Sequence, residues 1–135
     1  MKRVTIIMSN YNAEQFLDEC LESLANQTYP NIVVKMIDDC SKDRTLEIMK
    51  SWCEKDKRFE IVEAHSKNRG LTVSLNKLLE AADTELIARM DADDIAMPHR
   101  IEKQVEYLNQ HPDVSVVGSW AVDVNEHGHE GAMRL

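Results

Sequence analysis

Two clusters of acidic residues carry most of the chemistry that this sequence offers. Asp38 and Asp39 directly follow one apolar segment, and Asp91 and Asp93 directly follow another. Carboxylates that lie close together repel one another, and this cost is tolerated where a cation or a donor-rich ligand lies between them. We therefore expect a cation or a polar ligand to bind at these clusters.

The second cluster has the Asp-x-Asp spacing of a divalent metal site for a diphosphate. In an extended loop alternate residues point the same way, so Asp91 and Asp93 can both face one ion. Mg²⁺ or Mn²⁺ held there would bridge to phosphate oxygens and stabilise charge on a leaving diphosphate. The alternative is an ordinary acidic turn, with Asp94 facing solvent or capping the next helix.

The first cluster suits a nucleoside. An aspartate at a strand end, here Asp38 or Asp39, can accept the N3–H of a uracil or bond a ribose hydroxyl. Tyr11 offers an aromatic face for the base, unless it is an ordinary loop residue. Lys67 or Arg69 can reach a phosphate as a charged donor, with a solvated basic residue as the alternative.

Composition narrows the class of protein. The chain has 135 residues, a usual length for one domain, and a formal net charge of −8 with a pI near 5.1. This charge argues against a non-specific surface for nucleic acid or anionic membrane, since both need a basic face. No apolar run approaches the ~20 residues of a membrane span.

Cysteine and histidine usage gives no sign of a disulfide framework or a zinc site. The three cysteines are odd in number and lack Cys-x-x-Cys spacing, which favours a reducing compartment. His127 and His129 are interpreted as solvated, because a zinc site needs more ligands.

Segments of strand-like and helix-like pattern alternate along the chain. Strands are predicted at 4–8, 32–37, 59–64 and 86–90, and a fifth begins at 114–117 and extends as far as 124. A capping box of Asn12 and Gln15 is predicted to start the first helix, and Ser41 or Asp43 the second. The apolar faces of the first three helices are predicted to be Phe16, Leu17, Cys20, Leu21 and Leu24; Leu46, Ile48, Met49 and Trp52; and Leu71, Leu75, Leu78, Leu79 and Ala82. Pro98 suits the first turn of a fourth helix, which buries Ile101, Val105 and Leu108.

This alternation predicts an α/β fold, with a mostly parallel, Rossmann-like sheet and helices on both faces. In such sheets ligands bind beyond the carboxyl ends of the strands, which is where both acidic clusters fall.

Five short segments, in order and at the expected separations, give the sequence a family resemblance. It resembles the nucleotide-binding half of family 2 glycosyltransferases, which have the GT-A fold. The matching segments are 4–14, 26–30, 37–45, 68–71 with Asn76, and 91–94 followed by 97–100. The resemblance covers roughly residues 3–124.

The resemblance implies a role for each matching residue. Ser9 and Tyr11 would line the base pocket, Asp39 would contact the base with Asp38 beside it, and Arg69 would lie near the donor. Asp91 would lie near the ribose and the metal, and Asp93 would be the principal metal ligand. The family transfers a sugar from a nucleoside-diphosphate donor, often a UDP-sugar, to an acceptor hydroxyl, usually with inversion. The acceptor would be a glycan, a lipid-linked molecule or a protein, as in polysaccharide synthesis.

The sequence departs from the family pattern in three places. Cys40 stands where Gly is usual, Ser9-Asn10 replaces a common Pro-Thr or Pro-Ser, and Leu75 stands where Arg often precedes the Asn of that segment.

Family members also continue well past the Asp-x-Asp loop. We therefore expect residues 1–135 to be a C-terminally truncated, single donor-binding domain without the acceptor-binding part. Its general base would lie outside this chain, and its exposed edge would favour self-association. A cytoplasmic location is expected, with attachment to the cytosolic face of a membrane through missing segments.

Other nucleotide-binding classes fit less well. A nucleotidyltransferase would carry a Gly-rich basic loop after the first strand, and a receiver domain would carry its acid pair there. A dinucleotide-binding domain needs Gly-x-Gly-x-x-Gly, which is absent. A non-catalytic nucleotide-binding module of the same fold remains the open alternative, and it involves no nucleic acid.

Overall fold

The computed structural model describes residues 1–119, 121–124 and 130–134. Strands and helices alternate through the first part of this range, as predicted. In chain order the elements are β1 (Val4–Asn10), α1 (Leu17–Ala25), β2 (Ile32–Asp38), α2 (Thr45–Lys55), β3 (Phe59–Ala64), α3 (Leu71–Ala81), β4 (Leu86–Arg89), α4 (Arg100–Gln110), β5 (Ala121–Val124) and β6 (Glu130–Arg134).

The first four strands form one parallel sheet in the order β3-β2-β1-β4. Val4 in β1 lies opposite Ile32 of β2 on one side and Leu86 of β4 on the other. The chain therefore moves outward from β1 to β3 and then returns to the far side of β1. The predicted parallel sheet is confirmed, and its strand order reverses between β1 and β4.

The two central strands carry the core because both of their faces are covered. Ile7 and Ile37 pack against Leu78 of α3 on one face. Right-handed crossovers and the reversed strand order place α1 and α2 on the opposite face. Strands covered in this way read as continuous apolar runs, which β1 and β2 do.

Helix α1 buries most of its predicted face but begins later than predicted. Leu17, Cys20, Leu21 and Leu24 are fully buried, whereas Phe16 precedes the helix and is 43% exposed. The predicted capping box is wrong. Asn12 adopts a φ of 47°, and its Oδ1 accepts the backbone N–H of Lys42 at 2.8 Å, so its side chain joins two loops instead of capping a helix.

The second and third helices have narrower buried faces than their sequences suggest. Asp43 Oδ1 accepts the N–H of Thr45 at 2.9 Å at the start of α2, whereas the Ser41 hydroxyl is engaged with Asp38. In α2 only Thr45 and Met49 are fully buried, and in α3 only Ser74 and Leu78. Leu71 and Leu79 are about half exposed, so the predicted apolar face of α3 is only partly correct.

Contacts divide the chain into two compact units, Met1–Ile101 and Glu102–Leu135. The second unit contains most of α4 and an antiparallel pair formed by β5 and β6. The predicted burial of Ile101 and Val105 is confirmed, and Leu108 is half-buried. This division does not test the prediction of a single domain, which stays a prediction.

The prediction of a fifth strand beginning at 114–117 is wrong. Residues 114–119 form no strand, and Val116 is 85% exposed. An apolar run becomes a strand only where another strand pairs with it, and within the described ranges that pairing starts at Ala121. His127 and His129 lie outside the described residues. None of the described helices combines the length and apolarity that a membrane crossing requires.

Candidate functional site

A cavity of about 440 Å³ lies at the carboxyl edge of the parallel sheet. Its walls come from the loops after β1, β2 and β4 and from the segment that leads into α3. The lining residues are Ser9, Tyr11, Asn12, Ala13, Phe16, Asp39, Asn68, Gly70, Leu71, Asp91, Ala92 and Asp93. The loops after β1 and β4 diverge where the strand order reverses, and this is the place where open α/β sheets bind ligands.

The structure brings most of the predicted binding residues together. Ser9, Tyr11, Asp39, Asp91 and Asp93 all line this cavity. Base-binding and metal-binding candidates that are distant in the sequence thus share one space.

Asp38 and Arg69 are not among the lining residues. Asp38 is buried, and its two oxygens accept the hydroxyl and the backbone N–H of Ser41 at 2.5 and 3.3 Å. Neighbouring residues in a strand point to opposite faces of the sheet. The Asp38 side chain therefore points away from the face on which Ile37 packs against α3. The side chains of Arg69 and Lys67 are both exposed. Arg69 contacts Asp39 through its backbone N–H instead.

Asp39 lies at the centre of a hydrogen-bond network. Its Oδ1 accepts the Nδ1–H of His65 and the backbone N–H of Arg69, each at 2.8 Å, and its Oδ2 accepts the backbone N–H of Gly70 at 3.0 Å. Burial works to raise the pKa of Asp39, but the hydrogen bonds from His65, Arg69 and Gly70 outweigh it and lower the pKa from its ordinary value. The carboxylate is therefore held ionised at neutral pH.

His65 is a part of the site that the sequence analysis missed. It directly follows β3, its side chain has no exposed surface, and its backbone N–H donates to Asp38 O at 2.8 Å. A polar residue directly after a predicted strand was the available signal, since that signal identified both acidic clusters.

Gly70 adopts a backbone conformation that other residues avoid. Its φ of 91° and ψ of 161° lie in a region that is essentially restricted to glycine. This geometry lets the chain turn into α3 while the N–H groups of Arg69 and Gly70 both point at the Asp39 carboxylate.

The acidic loop after β4 offers two carboxylates to a cation. Asp91 and Asp93 are exposed, and Arg89 Nη2 lies 3.4 Å from Asp91 Oδ1. The described residues hold no group of three or more side chains able to enclose a metal. Two carboxylates nevertheless fit Mg²⁺ or Mn²⁺ in a site where diphosphate and water supply the remaining oxygens.

Helix α1 holds this acidic loop in place through polar contacts. The Cys20 thiol donates to Asp91 O at 3.4 Å, and the Ser23 hydroxyl accepts the N–H of Ala96 at 3.0 Å. Burial, reinforced by the charges of Asp94, Asp93 and Asp91, raises the pKa of Cys20 to about 12. Cys20 therefore stays a neutral thiol and serves as a packing and hydrogen-bonding group.

Solved structures of glycosyltransferases share this fold. The structure of S. aureus TarS in complex with UDP-GlcNAc has a TM-score of 0.73 and 26% sequence identity, covering 82% of this chain and 32% of that one. The mannosyltransferase PcManGT from Pyrobaculum calidifontis, in complex with GDP-Man and Mn²⁺, has a TM-score of 0.72 and 27% identity, covering 79% and 32%. The predicted fold class, the nucleotide-binding half of a GT-A fold, is confirmed.

Curated relatives match along most of the chain. An uncharacterized glycosyltransferase of Haemophilus influenzae is 42% identical over 117 residues, which is 87% of this chain and 36% of that protein. The amylovoran biosynthesis glycosyltransferase AmsE of Erwinia amylovora is 35% identical over 133 residues, which is 97% of this chain and 50% of that protein. The chain thus spans half or less of the length of these relatives. The family model described as Glycosyl transferase family 2 matches residues 5–134. The chain belongs to glycosyltransferase family 2.

Proposed function

We propose that the protein is a glycosyltransferase that moves a sugar from a UDP-sugar to an acceptor hydroxyl, with inversion, and that this chain forms its donor-binding part. The observation that carries the proposal is the meeting of Asp39, Asp91 and Asp93 in one cavity at the reversal of strand order. A nucleoside diphosphate needs a base contact and a charge-neutralising contact separated by the length of a ribose, and this cavity contains candidates for both.

The base end of the cavity is formed by Asp39 and Tyr11. The ionised Asp39 carboxylate accepts hydrogen bonds only, so it selects a base edge that presents an N–H group. Tyr11 is exposed at the rim, where its ring can stack on the base, and Ser9 adds a short polar side chain. Uracil presents an N3–H, and its small ring suits a cavity of this volume.

The diphosphate end is formed by Asp91 and Asp93, which would hold Mn²⁺ or Mg²⁺. A divalent cation there supplies charge stabilisation for the leaving diphosphate. The two aspartates would bind and orient the donor through that cation, and Arg69, whose backbone N–H bonds Asp39, would add the positive charge of its exposed side chain. Contacts from α1 keep the acidic loop in place before the donor arrives.

The described cavity provides no obvious general base for the acceptor hydroxyl. Its acidic lining residues are Asp39, whose pKa is lowered by three hydrogen bonds so that it is a weak base, and the two aspartates proposed as metal ligands. This favours, as a second candidate, a chain that binds a nucleotide without turnover. A transfer and hydrolysis assay with UDP-GlcNAc and Mn²⁺ tests this second candidate, since release of UDP by the chain would exclude binding without turnover.

The first test is calorimetric titration of UDP into the chain with Mn²⁺, and again after EDTA, with ADP and CDP for comparison. We expect binding that prefers UDP and that weakens at least tenfold when the metal is removed. Binding of all three nucleotides with equal affinity would contradict the proposed base contact. Absence of any nucleotide binding would overturn the proposed function.

The metal role is tested by Asp93→Asn, with Asp94→Asn as the matched control. Both variants remove one negative charge from the same loop, but Asp93 lines the cavity and Asp94 is not among its lining residues. We expect Asp93→Asn to weaken Mn²⁺-dependent UDP binding by tenfold or more, with an unchanged circular dichroism spectrum. Asp94→Asn should change Mn²⁺-dependent UDP binding less than threefold. Equal effects of the two variants would refute a specific metal ligand.

A further inference from the structure

His65 is a fully buried imidazole next to the candidate base-binding residue. Its side chain has no exposed surface, and that of Asp39 has 4%. The Nδ1 atom lies 2.8 Å from Asp39 Oδ1, while Nε2 makes no hydrogen bond within the described part of the chain. Glu63 Oε2 lies 3.4 Å from that Nε2 and 2.8 Å from Lys77 Nζ. A line of polar side chains therefore runs from the surface to the cavity.

The hydrogen bonds that Asp39 already accepts decide what it can still bind. An ionised carboxylate has about four acceptor positions, two on each oxygen. Oδ1 is occupied by His65 and by the N–H of Arg69, and Oδ2 takes one bond from the N–H of Gly70. One acceptor position remains, and it is on Oδ2.

The tautomer of His65 follows from the same contacts. An ionised carboxylate cannot donate a hydrogen bond, so the proton between the two side chains must belong to Nδ1 of His65. All three donors bind an ionised carboxylate, so all three bonds are charge-assisted. Arg69 and Gly70 donate through the backbone, so the bond from His65 is the one that a side chain supplies. Removal of the His65 side chain therefore changes how the carboxylate plane is held and where the free position on Oδ2 points.

We propose that His65 is a positioning residue that orients Asp39 and so makes the site select a base with an N–H donor over one with a bare ring nitrogen. The inference rests on the proposed function, since it concerns the base end of the same donor site. Uracil presents N3–H to such a carboxylate, whereas cytosine presents an unprotonated N3, whose lone pair repels it. Loss of the His65 side chain should therefore change the binding of UDP and the binding of CDP by different amounts.

The test compares UDP and CDP binding, with Mn²⁺, in three variants. His65→Leu removes the N–H that bonds Asp39 and fills the same buried space with an apolar side chain of similar size. His65→Asn keeps an N–H donor near the position of Nδ1. Ser74→Ala is the control, because Ser74 is fully buried, lies in the same unit and is not a lining residue.

We expect His65→Leu to weaken UDP binding about tenfold and to leave CDP binding within about twofold, the loss expected when a charge-assisted hydrogen bond is removed. His65→Asn should recover UDP binding to within about threefold of the parent chain, and Ser74→Ala should match the parent. Equal losses for UDP and CDP would show a merely structural role and overturn the inference. Parent-like UDP binding by a folded His65→Leu chain would also overturn it.

A second measurement does not depend on a variant that folds. In the parent chain labelled with ¹⁵N-histidine, we expect the His65 signal to show a protonated Nδ1 at neutral pH. An unprotonated Nδ1 would overturn the inference even if UDP binds. If the parent chain binds no nucleotide, the proposed function fails and this inference fails with it, whereas the other negative outcomes refute His65 alone.

Discussion

Cys40 has a backbone conformation that its side chain disfavours. Its φ of 65° lies in the left-handed region, which costs a residue with a Cβ about 1–2 kcal/mol. The thiol donates a weak bond to Ser66 O at 3.4 Å and accepts one from Lys42 Nζ at 3.6 Å, and these contacts offset little of that cost. Glycine would remove the strain but lose more entropy on folding, by about 0.5–1 kcal/mol.

We therefore predict that Cys40→Gly raises the free energy of unfolding by about 0.5 kcal/mol, the difference between strain and entropy. Cys40→Val, with a branched side chain at the same φ, should lower it by about 1 kcal/mol or more. Cys53→Gly is the control. It should lower the free energy of unfolding, since glycine within α2 costs about 1 kcal/mol. Urea denaturation measures all three, and a Cys40→Gly chain less stable than Cys40→Val would contradict the account.

The sequence identifies this position without explaining it. Cys40 stands where the resembling family usually has Gly, and the positive φ supplies the physical reason. The sequence alone does not show which role belongs to Asp38 and which to Asp39. Two successive carboxylates at a strand end point to opposite faces of the sheet, and the sequence does not say which face is covered. Which of them enters the cavity depends on the face that α3 covers, and that is a tertiary property.

At the scale of elements, polar contacts join the segment that follows α1 to the acidic loop after β4. Gln27 is buried, and its Nε2 donates to Met97 O at 2.7 Å while its Oε1 accepts the N–H of Ile101 at 3.0 Å. Thr28 N–H donates to Pro98 O at 2.9 Å. The loop that presents Asp93 is thus tied at its far end to a helix on one face of the sheet.

We predict that Gln27→Leu lowers the free energy of unfolding by about 2 kcal/mol, since it leaves the buried N–H of Ile101 unpaired. It should also weaken Mn²⁺-dependent UDP binding several-fold, although Gln27 does not line the cavity. The control is Gln110→Leu, at an exposed site in α4, which should change stability by less than about 0.5 kcal/mol. Urea denaturation and calorimetry are the measurements, and unchanged UDP binding by a destabilised Gln27→Leu chain would rule out the positioning role.

Local sequence signals predicted the elements better than the contacts between them. Strand β3 was predicted with its observed bounds, because its pattern is local. The roles of Gln27 and of Asn12, which bonds the loop before α2, depend on segments that only the folded chain brings together. A capping box read from Asn12 and Gln15 was therefore outcompeted by a tertiary hydrogen bond.

At the scale of the molecule, the parallel sheet was predictable and its order was not. Buried apolar runs separated by helices allow few arrangements other than a parallel sheet. The same pattern does not say on which side of β1 the strand β4 pairs, and that choice creates the cavity. The segment 114–117 shows the reverse case, in which an apolar run has no neighbouring strand within the part of the chain that the structure describes.

Several carboxyl groups couple the stability of the first unit to pH. Burial acts to raise the pKa of Asp39 and of Asp43, but hydrogen bonds outweigh it: Asp39 accepts bonds from His65 and two backbone N–H groups, and Asp43 from the side chain and backbone of Thr45. The hydrogen bond from Arg58 is the main cause that lowers the pKa of Asp56. In the unfolded chain these groups have the ordinary value of 3.8.

A carboxyl group with a lower pKa in the folded chain binds fewer protons there than in the unfolded chain. Its contribution to stability is complete above pH 3.8 and is lost as the pH falls through the folded value. We therefore predict a free energy of unfolding that is nearly constant between pH 7 and pH 5 and falls steeply below about pH 4. In Asp56→Asn the fall should be shallower, because one of the linked groups is gone. Urea denaturation at pH 7, 5, 4 and 3 gives the slopes, and a stability that stays level from pH 5 to pH 3 would show that these carboxylates gain nothing from their partners in the folded chain.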